Sequence, residues 1–201
     1  MNTTTAKTAI ILGAAFAVLY PLWVWLTSIT FPLSSPFILI AQAWGLLAFT
    51  LMWLHIVAGP FKQRLLGIFP KFELWMTLSS FIVLLSIILH PLLMLVGISK
   101  LIGIVEFFAT ASMPIWLAII AWFMFISYDI ARIFKKRLLK TRTWFVITLI
   151  ATLGWFLILY HSLSLGSHLQ EGLLRMLWYF FGATGTAAAI TTYGIKPFLK
   201  R

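Results

Sequence analysis

Residues 74–97 read LWMTLSSFIVLLSIILHPLLMLVG, a stretch without a single Asp, Glu, Lys or Arg. As an α-helix rising about 1.5 Å per residue it is roughly 36 Å long, enough to cross about 30 Å of hydrocarbon. Its apolar side chains cover nearly every face, as expected of a helix surrounded by lipid or other helices. The ten-residue alternation of a membrane β-strand is missing. Working outward, five further stretches have the same character, at 8–30, 36–59, 107–128, 143–165 and 176–195. The sequence therefore predicts an all-α integral membrane protein, a six-transmembrane-helix bundle.

Composition agrees. The 201 residues are 62% hydrophobic and 9% charged, with mean hydropathy +1.05. Soluble domains average about 45–50% apolar and about 25% charged residues, so a soluble fold and a disordered chain are both excluded. Six spans and their loops fill 1–201 as one transmembrane domain, with no soluble flavin domain expected. The N-terminal run lacks a suitable small-residue cleavage site and reads as a retained first span.

Net charge is +11, from 15 Lys+Arg against 4 Asp+Glu. The cations are not spread evenly. Lys7, then Lys62, Arg64 and Lys71, then Arg132, Lys135, Lys136, Arg137, Lys140 and Arg142, and finally Lys196, Lys200 and Arg201 share one side of the six-span topology. Only Lys100 and Arg175 fall on the other. The excess of Lys and Arg in cytoplasmic loops places both termini in the cytoplasm. A multi-pass protein of the inner (cytoplasmic) membrane is expected, in contact with lipid and not with nucleic acid. The cluster RIFKKRLLKTR at 132–142 suits anionic lipid heads, but topology alone accounts for it.

Chemistry-bearing groups within the spans are few. Cysteine is absent, which removes disulfides and thiolate ligands. HExxH, P-loop and GxSxG motifs are absent too. Glu73, Asp129 and Glu171 sit at span ends and Glu106 borders the fourth span, so no intramembrane carboxylate pair forms. That weakens a small-transporter reading. The run Gly182–Ala189 (GATGTAAA) reads as a close-packing face. Pro21 and Pro114 are placed within spans, where a bundle tolerates a kink.

Four histidines are left. The third and fifth spans run in the same direction, and His90 and His161 lie about 24 Å and 27 Å from their cytoplasmic ends at helical rise. Two imidazoles at one level on parallel helices either hydrogen-bond neighbouring helices or bind a haem iron from opposite faces. His55 lies near the cytoplasmic end of its span. His168 follows His161 by seven residues; were the helix to continue that far it would share the face and act as a reserve ligand or propionate neighbour.

The segments FELWMTLSSFIVLLSIILHPLLM (72–94) and TLIATLGWFLILYHSLSLG (148–166) resemble the third and fifth helices of ferric-reductase-like transmembrane domains. That family includes the single-haem STEAP proteins and the membrane haem subunit of periplasmic methionine sulfoxide reductase. The resemblance implies one haem b, with His90 and His161 binding its iron (haem being the metal-binding function), and Lys100 and Arg175 as propionate partners or lipid-head anchors. Two-haem members carry a further histidine 13–14 residues earlier on each helix. Met76 and Thr77, and Ile147 and Thr148, stand there instead; an inner site would need a pairing such as His55 with Met76. The implied function is an oxidoreductase component for electron transport. Electrons would come from a quinol or a separate flavin reductase, the quinone or flavin being a partner's, and pass to a redox acceptor on the outer side. A non-haem assembly or scaffold subunit, or a small transporter, is the alternative.

Overall fold

A computed structural model describes residues 3–29, 35–138 and 141–196, apart from the side chains of 3, 135–138 and 141. Thr30, Lys140, Lys200 and Arg201 therefore lie outside the described residues, as do the side chains of Lys135, Lys136 and Arg137. Every regular element described is helical: α1 (Thr3–Thr27), α2 (Pro36–Ile68), α3 (Phe72–Ser99), the short α4 (Ile104–Ala109), α5 (Met113–Leu138), α6 (Thr141–Leu165) and α7 (Gly172–Ala189). A 3₁₀ turn at Ser167–Leu169 joins α6 to α7, and α7 continues as a π-helical segment, Ile190–Ile195. Six helices are long and apolar enough to cross a membrane: α1, α2, α3, α5, α6 and α7 with its π extension. Helices are the form to expect, because a chain in lipid must satisfy its own backbone polar groups.

Several boundaries differ from the sequence reading. The fourth span begins at Met113 and not at residue 107. Residues 107–109 belong to α4, and Pro114 lies in the first turn of α5, where a missing N–H costs nothing. The second helix continues past residue 59 to Ile68, through Pro60. The sixth starts at Gly172 and not at residue 176.

α2 pairs with α3, and α5 with α6, as two antiparallel hairpins. α1 lies against α2, and α7 closes on α2 and α6. Among the described residues α3 and α6 make no extended backbone contact with each other. The bundle centre is aromatic: Phe49 of α2 stacks on Trp155 of α6 at 5.1 Å and on Trp178 of α7 at 4.8 Å between ring centroids. Trp155, Trp178 and Phe181 are fully buried. The GATGTAAA run admits them, since a Cβ on Gly185 would lie 2.7 Å from the Trp155 ring. Large apolar side chains such as Leu12, Trp23, Trp75 and Phe81 face outward, an apolar surface far too large for water and suited to lipid.

Pro91 supplies no N–H to the Ile87 carbonyl one turn earlier. The Trp122 indole N–H of α5 takes that acceptor at 3.1 Å. A proline in α3 thus becomes a tie between the two hairpins.

Candidate functional site

His90 stands on α3, in the half of the bundle remote from the chain termini, and His161 on α6 in the same half. Counted from the starts of their helices, they lie about 27 Å and 30 Å along at helical rise. The two rings thus stand at one level on different hairpins, α2–α3 and α5–α6.

Each ring is held through the same atom. His90 Nδ1 lies 2.8 Å from the Ala41 carbonyl of α2, and His161 Nδ1 lies 3.0 Å from the Pro114 carbonyl at the start of α5. A carbonyl can only accept, so Nδ1 carries the proton in both rings. In the neutral imidazole Nε2 is then a free lone pair. Neither Nε2 is used in a hydrogen bond among the described residues. A backbone carbonyl fixing one ring nitrogen while the other is free is the usual support of a metal-binding histidine.

Room for the His90 ring comes from a glycine that sequence reasoning missed. A Cβ on Gly45 of α2 would sit 2.9 Å from both Cε1 and Nδ1 of His90. Ala41 and Gly45 are one turn apart on the same face, and that small-residue spacing was the available signal. Beside His161, Ser162 accepts the Trp178 indole N–H at 2.9 Å, which fixes α6 against α7.

His168 is placed differently from the conditional expectation. α6 ends at Leu165. A Cβ on Gly166 would meet the Ser162 carbonyl oxygen at 2.5 Å, so the chain turns tightly there. His168 lies in the 3₁₀ turn, and its Nε2 is buried with no partner among the described residues. Burial pushes its pKa down from the ordinary value. The two loop cations already have partners. Lys100 Nζ lies 4.3 Å from the centroid of the Phe37 ring. Arg175 donates to the Tyr179 hydroxyl at 2.9 Å and to the Gln170 carbonyl.

His55 has the opposite arrangement. Its Nε2 is 2.8 Å from Ser79 Oγ, and that hydroxyl donates to the Met76 carbonyl at 3.2 Å. Ser79 Oγ therefore accepts from His55 Nε2–H, leaving Nδ1 as the acceptor. Asp129 is not at a span end as read from sequence; it lies inside the span Met113–Phe134, 3.5 Å from Arg132. Among the described residues no group of three or more His, Cys, Asp or Glu is placed to hold a metal ion.

Comparison with protein-family models, with characterised proteins and with solved structures finds no match. The class defined by fold and composition is a multi-pass, all-helical membrane protein.

Proposed function

We propose that this chain is the haem b-binding membrane subunit of a ferric-reductase-like electron-transfer system. Its termini face the cytoplasm, and it passes electrons from a quinol or a separate flavin reductase to an acceptor on the outer side. One observation carries this reading: His90 and His161 stand at one level on different hairpins, each with Nδ1–H donating to a carbonyl and Nε2 left as a lone pair. Were a haem bound, His90 and His161 would be the residues to hold its iron through Nε2, since each is a neutral imidazole with its orientation fixed by a carbonyl at Nδ1. A haem supplies a one-electron redox centre when bound. The chain's own part is to hold the two rings, through Ala41 and Pro114, and to exclude water with the aromatic layer of Phe49, Trp155, Trp178 and Phe181.

The test is the absorbance of protein purified after expression with haem available. A dithionite-reduced b-type spectrum is expected, lost in His90→Ala and in His161→Ala and retained in His168→Ala, with helicity unchanged in all three. A colourless wild-type protein refutes the proposal. So does a spectrum that survives both of the first two substitutions.

A further inference from the structure

Between α3 and α5 the chain reads KLIGIVEFFATAS (100–112), outside every membrane-spanning helix. Within residues 101–109 Glu106 is the only charged residue, which is why hydropathy draws 107–109 into the fourth span. Leu101, Ile102, Ile104 and Val105 all face outward. Val105, at 84%, is the most exposed large apolar side chain among the described residues. Such side chains gain by leaving water, so this segment calls for an apolar surrounding.

The outward faces of the neighbouring helices supply the first indication of what that surrounding is. On α3 the exposed Leu92 and Val96 lie one turn apart and lead to Leu101. On α5 Met113, Trp116 and Ile120 are exposed at helical spacing and lead back to the segment's other end. Both stripes belong to spans whose outer surface suits lipid. A patch that docks a soluble protein has a polar rim, and here the apolar surface runs on into the spans. Lys100, at the junction with α3, lies over the Phe37 ring, as a cation with an apolar stem does at a membrane interface.

The backbone gives a second, independent indication. Leu101 and Ile102 N–H donate to the Ile98 carbonyl at 2.8 and 3.0 Å, Phe107 N–H to the Gly103 carbonyl at 3.1 Å, and Thr110 N–H to the Glu106 carbonyl at 3.0 Å. The Thr110 hydroxyl donates to that same carbonyl at 2.8 Å. Gly103, with φ at 80°, turns the chain between these bonds. Amides satisfied from within suit a place where water is scarce. Phe107 and Phe108 meet at 5.2 Å between ring centroids, and Phe108 and Trp116 at 6.1 Å; aromatic rings collect at head-group level.

We infer that residues 101–109 are a membrane-interface anchor, a non-spanning segment whose apolar side chains insert into the lipid leaflet remote from the chain termini. Its partner is the phospholipid monolayer itself, with Val105 among the upper acyl carbons and Lys100 and Glu106 at head-group level. Through Phe108 and Trp116 the anchor is joined to the start of α5. The inference holds whether or not the chain binds haem.

The chain has no cysteine, so one nitroxide can be attached at Val105→Cys in the full protein, in nanodiscs of phosphatidylcholine and phosphatidylglycerol. Electron paramagnetic resonance then compares relaxation by oxygen, which concentrates in lipid, with relaxation by a water-soluble nickel chelate. Phe81→Cys, exposed within a span, is the lipid reference, and Lys62→Cys, at an exposed ion pair, the aqueous one. The Val105 label is expected about 5–10 Å into the head-group and acyl boundary, reached by oxygen far more than by nickel. Circular dichroism checks that each variant keeps its helices, and Ile102→Cys gives the same reading should Val105→Cys fail to fold. Nickel access at Val105 equal to that at Lys62 would overturn the inference and leave the patch to a soluble protein partner. Protection from both reagents would also overturn it, as the sign of cover by protein.

Discussion

Gly45 offers the sharpest test of how the His90 site is built. Glycine within a helix is about 1 kcal/mol less favourable than alanine, so a glycine with open space beside it gains from Gly→Ala. Gly13 in α1 is such a position, since a Cβ added there would meet nothing within 4 Å. Gly45→Ala gains the same propensity but sets a methyl 2.9 Å from the His90 ring. The ring must then leave the Ala41 carbonyl, losing about 1 kcal/mol of hydrogen bond, and overpacking adds a further cost of about 1–3 kcal/mol. The net expectation is a loss of about 1–3 kcal/mol for Gly45→Ala against a gain of up to about 1 kcal/mol for Gly13→Ala. Thermal unfolding followed by circular dichroism in one detergent measures both variants side by side. Equal stability of the two would refute the placement of the imidazole against α2. Under the proposed function the reduced spectrum gives a second readout, altered in Gly45→Ala and unaltered in Gly13→Ala.

Three other expectations concern separate contacts. Trp122→Phe strands the Ile87 carbonyl that Pro91 leaves free and should cost about 1–3 kcal/mol. Adding Pro91→Ala restores an N–H for that carbonyl, so the double variant should be less impaired than additivity predicts, as a double-mutant cycle would measure. Lys62→Ala should change stability by less than about 1 kcal/mol, because the 2.8 Å Lys62–Glu73 pair is exposed and surface pairs contribute little. For His168 the sign follows from burial lowering its pKa below the ordinary 6.5. The unfolded chain takes up the proton first as pH falls, so this contribution is complete above about pH 6.5 and is lost below it. His168→Gln should flatten unfolding midpoints across that range; an unchanged pH slope would contradict the buried placement.

The helical class and the number of spans were legible in the sequence because a lipid environment imposes one strong rule, long uncharged apolar runs with internal backbone hydrogen bonds. Boundaries were less so. Hydropathy does not distinguish Phe107, in α4, from Met113, where the fourth span starts, since both are apolar and the break is made by turn geometry between them. Pro60 reads as an end because it follows Gly59, yet α2 passes through it with Lys196 Nζ donating to the Pro60 carbonyl at 2.6 Å. Asp129 reads as terminal because basic residues follow it closely; the helix carries it inside the span.

The candidate site divides in the same way. His90 and His161 stand out in the sequence because so few polar groups occur within the spans, and helical rise gives their levels. Their orientation could not be read, since it depends on carbonyls at Ala41 and Pro114, on helices 49 and 47 residues away in sequence. Composition and periodicity by themselves determined a six-helix membrane bundle, because each span's preference for lipid is a local property of its residues. Which faces of those helices meet and which imidazole nitrogen carries a proton were decided only by tertiary packing, because each depends on atoms brought together from separate helices.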